Sequence, residues 1–109
     1  MGQYYMSQFE YILFFRKGKG VKINNCGTSD ILKVDNIKRK KENGDNYHDT
    51  EKPVDLMKIL IENSSKEGEV VLDPFAGIGS TILAAKDLNR RYVGIEIDYR
   101  YYTFMKDRL

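Results

Sequence analysis

The chain has 109 residues, enough for one domain and one modest core. Hydrophobic residues make up 41% and charged residues 31%, an ordinary balance for a water-exposed domain, and no apolar run approaches the ~18 residues of a membrane span. A formal net charge of +2 is too small to imply nucleic-acid binding by itself; only its local distribution can do that.

Met1 is followed by Gly, Gln and two Tyr, without the basic and then apolar stretches of a secretion signal. Cys26 is the single cysteine, so neither an internal disulfide nor a zinc site is expected. The expectation is a reduced, cytoplasmic protein with no metal and no membrane contact.

The first segment, Phe9-Glu10-Tyr11-Ile12-Leu13-Phe14-Phe15-Arg16-Lys17, is rich in aromatic and β-branched residues and stops at Gly18-Lys19-Gly20. It reads as a buried strand. From Val21 to Asp49 the composition turns to Asn, Lys, Asp and Gly with no sustained period, which implies a long polar connection or a small subdomain. Pro53 suits the first position of a helix, where its missing N–H costs nothing. Leu56, Met57, Ile59, Leu60 and Ile61 follow at helical spacing, and Asn63-Ser64-Ser65 with Gly68 ends the run.

Val70-Val71-Leu72 is a short apolar strand whose lack of polar alternation predicts cover on both faces. Gly77 to Gly79 opens a second helix through Leu88, carrying Ile82, Leu83, Ala84 and Ala85. Tyr92-Val93-Gly94-Ile95-Glu96-Ile97 is the next strand, and Asp98 caps a last helix with Tyr102, Met105 and Leu109 on one side. Strand, glycine turn, helix, strand is a βαβ unit, and its right-handed crossover predicts an α/β fold with a parallel sheet.

The most informative stretch is Asp73-Pro74-Phe75-Ala76-Gly77-Ile78-Gly79-Ser80-Thr81. In a parallel sheet, ligands bind beyond the carboxyl ends of the strands. Gly77 and Gly79 let the backbone turn tightly and approach a ligand, and the helix start after them offers free N–H groups. Asp73 at the strand end can accept a hydrogen bond from a cationic amine, or it can merely cap the loop. A dinucleotide-binding turn wants its glycines directly after the strand, whereas here Asp-Pro-Phe-Ala intervenes; a P-loop needs a Lys before Ser80-Thr81, and none is present. Glu96 lies at the end of the next strand, 23 residues after Asp73, where a carboxylate can accept both hydroxyls of a ribose or stand solvated.

Taken together, these residues resemble the DNA amino-methyltransferases. Asp73-Pro74-Phe75-Ala76-Gly77-Ile78-Gly79-Ser80-Thr81 resembles that family's S-adenosylmethionine motif, D-P-F-x-G-x-G-T/S-T. His48-Asp49-Thr50-Glu51-Lys52-Pro53 resembles its H-x-T-x-K-P motif, and Tyr92-Val93-Gly94-Ile95-Glu96-Ile97-Asp98 its Y-x-G-I-E-x-D motif. The segment Phe9 to Lys17 is similar to a strand before the family's target-recognition region. The resemblance covers both ends of the chain and leaves 20–47 unmatched, as a possible remnant of that region. The motif order resembles the permuted class whose catalytic motif is amino-terminal, so residues 1–109 correspond to the carboxy-terminal, cofactor-binding part. The implied fold is a partial Rossmann-like methyltransferase fold, a parallel βαβ core with helices and an incomplete sheet.

The resemblance implies S-adenosyl-L-methionine as cofactor and DNA as partner. Carried over by position, Asp73 would contact the methionine amino group, and the amides around Gly77 and Gly79 would face the methionine moiety, with Ser80 and Thr81 at the helix start. Glu96 would hold the ribose hydroxyls with Asp98 nearby, and Thr50 and Lys52 would reach the methionine carboxylate, Lys52 as a compact charge. Phe75 would pack on the cofactor or in the core, and His48 is read as a structural hydrogen-bonding group. The basic run Lys38-Arg39-Lys40-Lys41 falls where the family places target recognition; it either meets DNA phosphates or forms a solvated loop beside Glu42, Asp45, Asp49 and Glu51.

The family's catalytic motif, a polar residue followed by Pro-Pro and an aromatic, holds the target amino group and stacks on the flipped base. This chain has two prolines, Pro53 and Pro74, which are not adjacent, so no catalytic residue is assigned. The expected function is the cofactor-binding portion of a site-specific DNA methyltransferase of a modification system, adenine N6 leading and cytosine N4 the alternative, with a non-catalytic remnant also open. A small-molecule or protein methyltransferase would need the same cofactor turn but not Thr50-Glu51-Lys52-Pro53. An incomplete sheet further predicts a partner: a missing amino-terminal half or a second copy of the chain.

Overall fold

The computed structural model describes residues 9–35 and 51–109. Five elements follow one another in the second stretch: helix α1 (Val54–Ser64), strand β1 (Val70–Asp73), helix α2 (Ser80–Asp87), strand β2 (Arg91–Gly94) and helix α3 (Tyr99–Arg108). The two strands pair in parallel, Val70 opposite Arg91 through Asp73 opposite Gly94, so the expected βαβ unit is present. Among the described residues the sheet has these two strands.

The helices begin and end where local chemistry directs. Pro53 stands one residue before α1, as its cap rather than its first residue, and its carbonyl accepts the Met57 amide at 3.2 Å. At the far end, the Ser65 hydroxyl donates to the Ile61 carbonyl at 2.6 Å, and Asn24 Nδ2 reaches the Glu62 and Ser65 carbonyls at 2.7 and 2.9 Å. The polar segment after Gly20 thus docks on the end of α1, supplying partners for carbonyls a helix terminus leaves open. Helix α2 stops in a Schellman motif: Asn89 takes φ +61°, its amide bonds Lys86 O, and the Arg90 amide bonds Ala85 O.

Helix α2 lies between two small cores. Ala84 and Ala85 pack with Ile61 of α1, joined by Val54, Met57, Val71 and Leu88. Ile82 packs with Ala76 and Met105 of α3, joined by Leu109. The approach of α2 to β2 is close enough that a Cβ on Gly94 would lie 2.8 Å from Ile82 Cγ1.

Three expectations need correction. Phe9 to Lys17 is not a buried strand: it carries no regular structure and its apolar side chains are exposed, Tyr11 at 85%. A strand needs a neighbour for its backbone groups, and the described sheet ends at β1 and β2. Strand β1 is covered on one face only; Val71 packs against the helices while Val70 and Leu72 point away and stay exposed. Finally, β2 stops at Gly94 rather than Ile97, because Ile95 and Glu96 are drawn into bonds with the first strand's exit.

Candidate functional site

The carboxyl ends of β1 and β2 lie side by side, and the segments leaving them form the site. Beyond the last ladder pair, Ile95 N–H donates to Asp73 O at 2.9 Å and Ala76 N–H donates to Ile95 O at 2.8 Å. Those two bonds keep both exits together. Between them the chain turns at Pro74 and Phe75, where the Asp73 carboxylate accepts the Phe75 amide at 3.0 Å. The turn leaves the Phe75 ring 88% exposed while Ala76 to Ser80 are buried, which excludes the core role considered for Phe75.

Glu96 ties the two exits a second time. Its Oε1 accepts the Gly77 amide at 2.7 Å and its Oε2 accepts the Asp98 amide at 2.8 Å. Each carboxylate oxygen has two lone-pair directions, so one bond per oxygen leaves acceptor capacity on both. The residue is half-buried and keeps contact with solvent.

Gly79 is constrained twice. It takes φ +89° as the cap of α2, and a Cβ there would sit 2.6 Å from Met105 Cγ. The amides of the two glycines are used inside the turn, Gly77 on Glu96 and Gly79 on the Ala76 carbonyl at 2.9 Å. The donors at this end are therefore those of the first turn of α2, beginning at Ser80, which lack intrahelical partners. Ser80 is buried and its hydroxyl has no hydrogen-bond partner among the described residues; Thr81 beside it is half-buried.

Asp98 caps α3 as expected, accepting the Arg100 and Tyr101 amides at 2.9 and 3.4 Å. The Arg100 guanidinium, 3.1 Å from its Oδ2, does most to hold this carboxyl below the ordinary carboxylate range, and the two amides add to it. Asp73, Phe75, Gly77, Gly79, Ser80, Thr81, Glu96 and Asp98 are thus brought to one end of the sheet. Lys52 is not bonded there; its Nζ lies 2.7 Å from Glu10 Oε2. Thr50, His48 and the run Lys38-Arg39-Lys40-Lys41 lie outside the described residues.

Two residues the motif reading passed over also meet the turn. Arg108 Nη1 donates to the Ile78 carbonyl at 2.6 Å and lies 3.9 Å from Glu51 Oε1. Both side chains are buried, at 8% and 6% exposure. The i, i+3 spacing of Arg108 from Met105 was the signal available in sequence, since it sets both on one face of α3.

With this geometry in view, comparison with known proteins is specific. A family model described as DNA methylase matches residues 1–107. The chain belongs to the DNA methylase family. The type II methyltransferase M.HindIII of Haemophilus influenzae is 47% identical over 81 residues, 74% of this chain and 25% of the relative. M2.DpnII of Streptococcus pneumoniae, also a type II methyltransferase, is 34% identical over 93% of this chain and 35% of its own length. Among solved structures, the M1.HpyAVI–SAM complex matches with a TM-score of 0.63 at 32% identity, over 81% of this chain and 42% of that one. TTHA0409 of Thermus thermophilus, complexed with S-adenosyl-L-methionine, matches with a TM-score of 0.51 at 45% identity, over 51% of this chain and 23% of that one. This chain therefore carries part of a Rossmann-like methyltransferase fold, and it spans about a quarter to a third of these two curated relatives, 25% and 35%.

Proposed function

We propose that residues 1–109 form the S-adenosyl-L-methionine-binding portion of a site-specific DNA amino-methyltransferase that acts on adenine N6. The observation that carries this reading is Glu96, a half-buried carboxylate at the carboxyl end of the sheet that keeps acceptor capacity while fixing Gly77 and Asp98. Family membership and the cofactor named in the M1.HpyAVI and TTHA0409 complexes support it.

When bound, the cofactor supplies an electrophilic methyl group on a sulfonium. This chain's part is to hold and orient it. Glu96 accepts the ribose hydroxyls, with Asp98 beside it and Phe75 exposed at the rim. Asp73 meets the methionine amino group, and the first-turn amides of α2 from Ser80 and Thr81 face the carboxylate side. Lys52 joins Thr50 on that carboxylate once it exchanges its surface pair with Glu10, a contact of low cost to break. The basic run from Lys38 to Lys41 meets DNA phosphates. Base capture needs a Pro-Pro-aromatic segment that these 109 residues do not contain, so methyl transfer requires further chain.

Titrating the purified chain with S-adenosyl-L-methionine in a calorimeter tests the first half: saturable heat is expected, and none overturns the cofactor reading. Incubation with labelled cofactor and unmethylated DNA tests the second. No label should transfer with the chain alone, and adenine should be labelled once a segment carrying Pro-Pro-Tyr is supplied. Label on cytosine would move the acceptor to N4.

A further inference from the structure

We propose that Arg108 and Glu51 form a brace that sets the glycine turn for the methionine end of the cofactor, making Arg108 a positioning residue. The inference rests on the cofactor reading above, but its structural half does not depend on it.

The brace begins with α3. Met105 and Arg108 lie one turn apart on one face of that helix, and both meet the turn: Met105 packs against Gly79, and Arg108 Nη1 bonds the Ile78 carbonyl between the two glycines. Glycines at φ +58° and +89° stand on either side of Ile78, and the Ile78–Gly79 peptide is held on its N–H side by the Ala76 carbonyl at 2.9 Å. Its carbonyl oxygen is the end that Arg108 holds. With the buried guanidinium on its oxygen and Ala76 on its N–H, the peptide is fixed, and with it the direction of the amides that follow into α2.

The same guanidinium lies beside the buried Glu51 carboxylate, and Phe104 lies under it with the ring centroid 5.9 Å from Arg108 Cζ. Glu51 immediately precedes Lys52. One side chain therefore connects the glycine turn to the segment that carries the proposed methionine-carboxylate ligand. Glu96, the ribose acceptor, is held to the Gly77 and Asp98 amides, and Gly77 lies before the Ile78–Gly79 peptide that Arg108 bonds. Disturbing the brace should then affect the amino-acid end of the ligand and spare the nucleoside end. Lysine is a poor replacement, because an ammonium on a flexible stem lacks the planar guanidinium that lies over Phe104 while its Nη1 bonds the carbonyl.

Two measurements on the full chain test this with Arg108→Lys and with Glu51→Gln, which leaves the bond to Ile78. Amide hydrogen exchange without ligand should quicken at residues 79–81 in Arg108→Lys and less so in Glu51→Gln, while Leu72, Gly77 and Ala84 keep their protection. Binding of S-adenosylhomocysteine should weaken about tenfold in Arg108→Lys, the scale of one hydrogen bond to a charged group, while 5′-methylthioadenosine, which lacks the amino-acid end, binds as before. Uniform loss of protection, or equal weakening for both ligands, would reduce Arg108 to a general stabiliser and overturn the proposal. Unchanged exchange at the turn overturns it too. Localised exchange in a chain whose wild type binds neither ligand would uphold the brace and remove the cofactor reading.

Discussion

Glu96 and Gly79 show how much of the site depends on single groups. Glu96 has two duties, tying Gly77 to Asp98 and offering its remaining lone pairs outward. Glu96→Ala should therefore weaken S-adenosyl-L-methionine by roughly 1.5–3 kcal/mol, the scale of hydrogen bonds to a charged group, and also lower the melting temperature. Calorimetry with unchanged affinity would leave Glu96 an ordinary strand-end acid. Gly79→Ala combines an unfavourable φ of +89° with a Cβ 2.6 Å from Met105 Cγ. A cost of about 1–3 kcal/mol in denaturant unfolding is expected, and a neutral result would mean that Met105 moves aside freely. Asp73, Gly77, Gly79 and Glu96 were legible in sequence through the resemblance of their motifs, and the structure gathers them at one end of the sheet. The engagement of the glycine amides was not, since it depends on where the Glu96 side chain turns.

At the scale of elements, α3 buttresses the turn and Asp98 holds its first turn. Its carboxyl lies below the ordinary value of about 4, chiefly through Arg100. A group with a lowered folded-state pKa contributes stability that is complete above the unfolded value and is lost as pH falls through the folded one. The cap should thus be fully effective above pH ~4 and fade below it. Asp98→Ala should remove that acid dependence and lower the melting midpoint at neutral pH, whereas Asp98→Ser should keep most of the midpoint. Thermal melts by circular dichroism from pH 7 to 3 would check both; an unaltered acid limb in Asp98→Ala would assign the titration elsewhere. The helices and the βαβ order were readable from periodicity and from Pro53, Gly77 and Asp98. Strand limits were less so. Tyr92 to Ile97 is uniformly β-favouring, yet β2 ends at Gly94 because tertiary bonds to Asp73 and Ala76 take over from the ladder. Phe9 to Lys17 has strand composition without a strand, since composition cannot supply a neighbour.

At the scale of the whole molecule, the two-stranded sheet of the described residues decides how the chain meets other chains. Strand β1 has β2 on one edge and no other strand among the described residues. Alternation along it sends Val71 into the core with Ile61, Ala84 and Ala85, and Val70 and Leu72 to the opposite face, where they are 52% and 60% exposed. Val93, opposite Leu72 in the register, is exposed as well. An apolar face beside an open strand edge favours burial, and backbone pairing along the edge can accompany it. The chain matches only 35% and 25% of the length of these two relatives, so further chain is one natural cover and a second copy the other. The chain by itself is therefore expected to self-associate. Sedimentation velocity across a hundredfold range of concentration should show a rising average mass, and Leu72→Lys, which alters an exposed position outside both cores, should suppress it without changing the far-ultraviolet spectrum. A monomer at every concentration with a sharply folded spectrum would mean that residues beyond the described ones already cover the face, and the need for a partner would fall.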